Sequence, residues 1–348
     1  MSSSINISLI IPTHNRRDSL NRILKNLLTL KDETFFQIVV VDNNSSDGTV
    51  DLVKQNYKHV KYVFEKNTSF TKARKTGAEN ADGEIIIYLD DDVVLEDGCI
   101  DEVNKIFKEK KDCAVLGGRI FPLYEQKPPQ WILDLQNKFN GFSTFDCGND
   151  LKKVDAVPGP FMAIRKKVFD LVGGFSPDTV GVETNTAKKT FKKIYIGPGD
   201  YGFCLLCRQA GYKVFYSPKI KLNHVIPAFR LTKEFWISRM VGEGHCIAVS
   251  KANMDFYKKN YKTFNLKLKC IKHYIAAQLD RLTGNKSPLV PDDLYFEYYR
   301  SFIKMDKVMS KNPDLAKFIW QLGYDGVSDD NFDAVLKKLP KDYQNLAL

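Results

Sequence analysis

Three consecutive aspartates, Asp90, Asp91 and Asp92, follow the apolar run Glu84–Leu89. Adjacent carboxylates repel one another, so this arrangement is costly unless water or a cation neutralises it. Hard oxygen ligands of this kind suit Mg²⁺ or Mn²⁺, held together with the phosphates of a substrate. A solvated acidic turn has the same composition, but the position directly after a buried strand favours a metal site.

Another carboxylate, Asp42, ends the apolar run Gln37–Asp42. Asp47 and Gly48 are enough to form the turn that follows, so we expect Asp42 to be available to a ligand. A carboxylate there can accept the imino N–H of uracil, thymine or guanine, which adenine and cytosine lack. The first apolar run likewise ends in a polar segment, Pro12, Thr13, His14, Asn15 and Arg16, in which the His14 ring could stack on a base.

Short β-branched runs alternate with helical patterns over the first 120 residues. The runs are Ile5–Ile11, Gln37–Asp42, Val60–Phe64, Glu84–Leu89 and Ala114–Gly117, and the helical patterns are Ser19–Leu30, Thr49–Gln55, Thr71–Ala81 and Cys99–Lys110. Apolar strands separated by helices predict a parallel sheet that is covered on both faces. Because ligands bind outside the carboxyl ends of such strands, the aspartates lie where a site is expected.

The pattern changes after residue 120. Residues 121–153 are rich in proline and glycine, which predicts a long irregular insertion of the kind that often contributes to a binding site. Regular structure resumes near Val154, with helices over residues 165–172 and 200–210 and strands over 194–196 and 213–216. Beyond Pro227 the sequence is mostly helical, aromatic and basic.

Composition narrows the class of protein. The chain has 348 residues, of which 43% are hydrophobic, so it can bury a sizeable core. No apolar run approaches the ~20 residues that span a bilayer. The N-terminus lacks the basic segment of a secretory signal, and seven scattered cysteines do not form a disulfide framework, so we expect a cytoplasmic protein.

The net charge of +10 is concentrated in one region. Residues 251–290 contain nine basic and two acidic residues, so the rest of the chain is close to neutral. This distribution argues against a general nucleic-acid binder. It is compatible with a solvated face of a helical subdomain, and also with an interfacial surface that binds anionic lipid at the cytoplasmic face of a membrane.

An ordered set of motifs resembles the family 2 glycosyltransferases, which have the GT-A fold. The motifs are IIPTHNR at 10–16, VVVDNNSSDGT at 39–49, ARKTGA at 73–78, LDDD at 89–92, VGGF at 172–175 and GDYGFCLLCRQAGYKV at 199–214. The resemblance covers about residues 5–225. It implies an inverting, metal-dependent and hexosyltransferase-like enzyme that moves a sugar from a nucleotide-diphosphate sugar, with UDP the first choice, to a hydroxyl acceptor. That acceptor would be a growing glycan or a lipid-linked saccharide, in polysaccharide biosynthesis.

The resemblance also implies roles for individual residues. Pro12, Thr13, His14 and Asp42 would form the nucleoside pocket together with Asn15 and Arg16, and Arg74 would lie near the base or the diphosphate. Asp90 and Asp91 would contact the nucleotide sugar. The metal, Mg²⁺ or Mn²⁺, would be bound by Asp92, Asp90 and His224, although a structural role for His224 is equally compatible with its position.

The later acidic motif departs from the family pattern. Members usually have Glu-Asp followed two residues later by an acidic or polar residue, whereas this chain has Gly199, Asp200 and Gly202 at those positions. The resemblance therefore assigns the catalytic base to Asp200 alone. An ordinary helix N-cap is the structural alternative for this aspartate.

The implied domain organisation is a GT-A catalytic domain over residues 1–227 and a helical, partly basic region over 228–348. Within the first, residues 1–120 would bind the nucleotide sugar, and residues 121–227 would supply the acceptor and catalytic side.

Three other activities compete with this interpretation. Residues 197–202 match the G-x-G-x-x-G pattern of dinucleotide-binding enzymes, but Pro198 removes a backbone donor and Asp200 would face the pyrophosphate. A sugar-nucleotide nucleotidyltransferase would open with a glycine-rich basic loop, where this chain has Pro-Thr-His-Asn-Arg. A non-catalytic nucleotide-sugar-binding module stays open because the second acid beside Asp200 is missing.

Overall fold

The computed structural model of the chain describes residues 6–136, 142–182, 192–283 and 291–325. Its strands are β1 (Ile7–Thr13), β2 (Phe36–Asp42), β3 (Lys61–Phe64), β4 (Ile85–Leu89), β5 (Val93–Leu95), β6 (Cys113–Tyr124), β7 (Lys152–Val154), β8 (Phe161–Arg165), β9 (Thr179–Val182), β10 (Lys192–Tyr195) and β11 (Lys213–Ile226). Its helices are α1 (Arg17–Thr29), α2 (Thr49–Asn56), α3 (Phe70–Asn80), α4 (Cys99–Glu109), α5 (Gln130–Gln136), α6 (Lys166–Leu171), α7 (Gly199–Gln209), α8 (Lys233–Asn253), α9 (Asp255–Asn260), α10 (Thr263–Leu282), α11 (Pro291–Lys311) and α12 (Pro313–Asp325).

A mixed sheet forms the centre of the first part of the chain. Its strand order is β3-β2-β1-β4-β8-β6-β11-β5, with β7 paired to β11. The strands β1 to β4 pair in parallel, as the alternation of apolar runs and helical patterns predicts. The other half of the sheet is antiparallel where β8 pairs with β4 and β6, and where β11 pairs with β5 and β7.

Helices cover this sheet with apolar faces of helical period. On α1 the buried side chains are Leu20, Ile23, Leu24 and Leu27, which follow the spacing of one helical face. They pack with the wholly buried residues of β1, including Leu9 and Ile11, in one cluster. The α/β class predicted from the sequence is therefore confirmed.

The predicted insertion at residues 121–153 is more ordered than expected. The strand β6 continues to Tyr124 and the helix α5 follows at Gln130–Gln136. Ile132 and Leu135 of α5 are buried in a cluster with Trp236 and Phe142. Proline and glycine content thus overstated the irregularity, because short regular elements fit between the turns.

The chain divides into two compact units whose segments interleave along the sequence. One consists of residues 1–123, 143–176 and 199–225, and contains the central sheet. The other consists of residues 124–142, 177–198 and 226–348, and its described part is mainly helical. Across the described ranges, no helix has the length and apolar character needed to cross a bilayer.

Candidate active site

The carboxyl ends of β1, β2 and β4 meet at one edge of the sheet because these strands run parallel. Thr13 at the end of β1 lies opposite Asp42 at the end of β2. On the other side of β1, Ile10 pairs with Tyr88 of β4, the strand that leads into Asp90. The fold therefore brings the acidic segment and the residues after β1 together, as predicted.

Two of the three consecutive aspartates are buried and paired with one arginine. The guanidinium of Arg16 donates from Nη1 to Oδ1 of Asp91 at 3.0 Å and to Oδ2 of Asp92 at 2.8 Å. The hydroxyl of Thr13 donates to Oδ2 of Asp91 at 2.7 Å. Burial raises the pKa of Asp91, and the nearby Arg16 charge opposes that shift. Arg16 thus acts as a fixed counter-charge within the acidic segment.

His224 lies against the same segment from the antiparallel half of the sheet. It is opposite Val93 in the β11–β5 pair, and the N–H of Val225 donates to the carbonyl of Asp92 at 2.8 Å. This register places Nε2 of His224 3.2 Å from Oδ1 of Asp92. Both side chains are buried. The predicted pair of metal ligands therefore lies side by side.

Asp90 is the most accessible carboxylate of the three, with 26% of its side chain exposed. Burial raises the pKa of Asp90 to about 6, and repulsion from Asp92 adds to this effect. The charges of Arg74 and His224 act in the opposite direction. Burial is thus the main obstacle to ionising Asp90, and a bound cation would favour its charged form.

Arg74 connects the acidic segment to Asp200. Its Nη1 donates to Oδ1 of Asp200 at 2.8 Å, and its Nη2 lies 3.9 Å from Oδ1 of Asp90. Asp200 is in the first turn of α7, after the residue that begins the helix, so it is not the N-cap. The candidate base and the candidate metal ligands therefore belong to one site.

The packing around Arg74 fixes its orientation. The guanidinium carbon lies 3.9 Å from the ring centroid of Phe70 and 4.4 Å from that of Phe175. The Tyr88 hydroxyl donates to the Arg74 carbonyl at 2.9 Å, which joins α3 to β4. A Cβ atom at Gly159 would lie 2.7 Å from Oδ2 of Asp200 and 2.8 Å from Nη2 of Arg74, so a larger residue there would displace the ends of these two side chains.

Asp42 takes a larger part in local structure than its sequence position indicates. Its Oδ1 accepts from the N–H of Ser45 at 2.8 Å, so the expectation that the turn does not need it is wrong. Its Oδ2 accepts from the Tyr62 hydroxyl at 2.7 Å. Asp47 accepts hydrogen bonds from the N–H and the hydroxyl of Thr49 within the same loop. The loop therefore needs the carboxylates of both Asp42 and Asp47, because its backbone donors are spread over several residues.

The other predicted nucleotide-binding residues lie at the end of β1 and in the loop that follows it, against the loop after β2. His14 Nδ1 lies 2.6 Å from the carbonyl of Asn43, and Pro12 is buried within β1. Asn15 has a left-handed backbone with φ of 51° and ties the two loops together. Its N–H donates to the Ser45 hydroxyl at 2.9 Å, and its Oδ1 accepts from the N–H of Ser46 at 2.7 Å.

Several residues of this site gave no clear signal in the sequence. Tyr62 and Gly159 contact the candidate residues only through tertiary packing. Phe70 precedes Arg74 by four residues on α3, so its contact with Arg74 follows from the helix itself. Phe175 lies in the VGGF motif, but the motif does not indicate contact with Arg74. Because Arg74 and Asp200 are 126 residues apart, no local pattern predicts their pairing.

The residues at this edge fit a divalent cation that is completed by a substrate. Two ligands that bind one Mg²⁺ or Mn²⁺ ion at right angles lie about 3 Å apart, which matches the separation of the Asp92 and His224 donors. Carboxylate and imidazole are a donor set that Mn²⁺ accepts. Among the residues described, no group of three or more His, Cys, Asp or Glu side chains is arranged to hold a metal ion. A cation bound by Asp92 and His224 would therefore need further ligands from outside these side chains.

Comparisons with known proteins show which family and fold the chain resembles. Residues 8–173 match the model of glycosyl transferase family 2. The matched residues make up slightly less than half of the chain. A glucosyl-dolichyl phosphate glucuronosyltransferase of Haloferax volcanii is 22% identical over 256 residues, which cover 72% of this chain and 77% of that protein. The uncharacterized glycosyltransferase YfnE of Bacillus subtilis is 21% identical and covers 98% of this chain and 93% of its own length.

A similar fold is also found among solved structures. GalNAc-T7, whose structure contains UDP, GalNAc and Mn²⁺, aligns with a TM-score of 0.51 and 13% identity. The alignment covers 100% of this chain and 59% of that one. The likeness shows the GT-A fold, as predicted.

Proposed function

We propose that this chain is an inverting, metal-dependent glycosyltransferase of family 2 whose donor is a nucleotide-diphosphate sugar, with uridine as the nucleoside. The observation that carries the proposal is the position of Arg74 between Asp200 and Asp90, which joins the candidate base to the acidic segment. For the domains, we propose the division into residues 1–227 and 228–348, with the chemistry in the first.

Asp200 is proposed as the catalytic base. Its Oδ1 is bonded by Arg74, which leaves Oδ2 to accept the proton of an acceptor hydroxyl. As that proton moves to Asp200, the acceptor oxygen forms a bond to the anomeric carbon, and the bond from this carbon to the diphosphate oxygen breaks. The nucleoside diphosphate leaves with the electron pair, and the configuration of the sugar inverts.

Asp92 and His224, with Asp90 beside them, are proposed to bind the divalent cation. A cation bound there would act as a Lewis acid that stabilises the negative charge of the departing diphosphate. Arg16 would keep Asp92 oriented, since it bonds the carboxylate oxygen opposite to the one that faces His224. Asp42 is buried and already accepts from Ser45 and Tyr62, so it would use a remaining lone pair to accept the imino N–H of the base.

The acceptor is proposed to be a hydroxyl of a glycan or of a lipid-linked saccharide. The relative from Haloferax volcanii is named for glucosyl-dolichyl phosphate. Another relative, from Salmonella anatum, is named an O-antigen chain rhamnosyltransferase and is 22% identical over 224 residues. These names support an acceptor of this class.

A binding screen tests the donor and metal assignments. UDP, GDP, dTDP, ADP and CDP are titrated into the full chain by calorimetry, with Mn²⁺ and with EDTA. We expect UDP to bind most tightly and only with the metal, and the Mn²⁺-dependent gain to disappear in His224→Gln. Metal-independent binding of every nucleotide would contradict the metal site, and no binding at all would contradict the function.

The base is tested with Asp200→Asn. We expect release of UDP from UDP-sugars to fall by a factor of about 10² to 10⁴, the range for loss of a general base. The Kd for UDP with Mn²⁺ should change less than about threefold. The matched control is Asp155→Asn, which removes an exposed carboxylate that is also paired with an arginine, Arg208 at 2.6 Å. Turnover in Asp200→Asn equal to that of the control would contradict the assignment of the base. A binding module would instead be favoured if the unmodified chain released no UDP from any UDP-sugar.

A further inference from the structure

One side of α10 presents a continuous apolar stripe to solvent. At about 100° per residue, its six side chains fall within a sector roughly 80° wide. Their exposed fractions range from 51% to 82%. They are Phe264, Leu268, Ile271, Ile275, Leu279 and Leu282.

The opposite side of α10 holds the helix in place. Leu266 and Ala277 are its buried side chains, and they project away from the stripe. His273 Nδ1 lies 2.6 Å from Oδ1 of Asp292, and the Tyr274 ring lies 5.2 Å from that of Phe296, both on α11. The stripe is therefore additional to the apolar surface that packs α10, and none of the described residues covers it.

Basic side chains flank the stripe. Lys267 lies along one of its borders and Lys272 along the other, and both are exposed. Lysines in this position can bury their aliphatic stems beside an apolar surface while the ammonium group stays in water. Isolated exposed apolar residues are ordinary, but an apolar helix face bordered by lysines is typical of a helix that lies in a membrane interface.

We propose that α10 is a docking surface for an anionic lipid bilayer, with the stripe facing the acyl chains and Lys267 and Lys272 at the phosphate level. Charge complementarity selects this partner. A second copy of the chain docked through the same face would bring two sets of lysines together, whereas anionic headgroups neutralise them. The proposal concerns residues 263–282 alone and does not depend on the proposed sugar transfer.

Sedimentation with vesicles tests the proposal. The full chain is centrifuged with phosphatidylcholine vesicles and with mixed phosphatidylcholine and phosphatidylglycerol vesicles at low salt. We expect the chain to sediment with the anionic vesicles and to stay in solution with the neutral ones. If it stays in solution with both, the proposal is overturned.

Two pairs of substitutions separate the apolar and the electrostatic parts of the surface. Ile271→Glu with Ile275→Glu should abolish sedimentation with anionic vesicles. Lys267→Gln with Lys272→Gln should weaken it roughly 25-fold, at about fivefold for each lysine. The matched controls are Leu28→Glu with Leu171→Glu, and Lys25→Gln with Lys105→Gln, all at exposed sites of other helices, and these should bind as the unmodified chain does.

Other occupants of the stripe give different results, and each would overturn the proposal. If a second copy covers it, the glutamate pair halves the mass measured by sedimentation velocity without lipid. If another part of the chain covers it, the glutamate pair lowers the melting temperature well below that of the leucine control. Nucleotide binding, measured on the same variants, should be unchanged, so failure of this proposal is distinguishable from failure of the proposed function.

Discussion

Arg74 is the residue through which the two halves of the candidate site interact. Its guanidinium is buried, lies against the rings of Phe70 and Phe175, and bonds Asp200 at 2.8 Å. A planar, permanently charged group can hold this carboxylate while remaining close to Asp90. We therefore regard Arg74 as a positioning residue for Asp200.

The prediction at the residue scale concerns Arg74→Lys. Lysine keeps the positive charge but not the planar fork, so one charge-assisted hydrogen bond is lost. Because such a bond contributes about 1.5–3 kcal/mol, kcat for release of UDP should fall about tenfold to a hundredfold. The Kd for UDP should change little, and Arg74→Met should lose still more activity than Arg74→Lys.

Equal activity of the lysine and methionine variants would show that charge at this position does not matter. A large rise in the Kd for UDP with unchanged kcat would instead make Arg74 a ligand of the donor. Circular dichroism of both variants checks that the fold is intact.

At the scale of elements, the contact between α8 and α11 is unusually close at Gly244. A Cβ atom there would lie 2.0 Å from Oγ of Ser301, 2.5 Å from the Tyr298 carbonyl oxygen and 2.9 Å from the Phe302 nitrogen. Two of these three atoms belong to the backbone of α11. Rotation of the Ser301 side chain would therefore not make room for a Cβ atom.

The change in the free energy of unfolding caused by Gly244→Ala tests this contact, because its sign depends on the packing. In an open helix the substitution would stabilise the protein by about 0.5–1 kcal/mol, because alanine loses less conformational entropy. Here we expect a loss of about 1–3 kcal/mol from overpacking. Urea denaturation followed by circular dichroism measures it, with Lys233→Ala at an exposed site of α8 as control. A more stable variant would contradict the close packing.

At the scale of the whole molecule, His245 makes stability depend on pH. Burial lowers the pKa of His245 to about 4, against an ordinary value of 6.5, and the charge of Lys304 adds to the effect. Within the described part of the chain its Nε2 has no hydrogen-bond partner. The folded protein therefore keeps this histidine neutral at pH values where the unfolded chain binds a proton.

The resulting prediction has a defined sign. Above pH 6.5 the ring is neutral in both states, and as the pH falls towards 4 only the unfolded state gains the proton, so stability is lost. At pH 5 the loss is about 2 kcal/mol relative to pH 7. Urea denaturation at both values should show it, and His245→Gln should remove this part of the pH dependence, whereas the exposed His59→Gln should not. An unchanged slope in His245→Gln would exclude this cause.

The sequence by itself determined the elements that depend on neighbours along the chain. The apolar runs before Asp42 and Asp90 predict β2 and β4 because a buried parallel strand must be continuously apolar, and their parallel pairing with β1 gathers the carboxylates at one edge. The motifs also predicted the GT-A fold. The sequence also showed that the region around α10 is basic. That Lys267 and Lys272 border the apolar stripe became apparent only from the bounds of the helix.

Only the tertiary structure decided which distant residues meet. The strand β8 and the long strand β11 pair antiparallel with elements far away in sequence, and this register puts His224 beside Asp92. The pairing of Arg74 with Asp200 depends on the same packing. Local periodicity indicates which face of an element is buried. Which other element packs against that face depends on the free energy of burial over the whole chain.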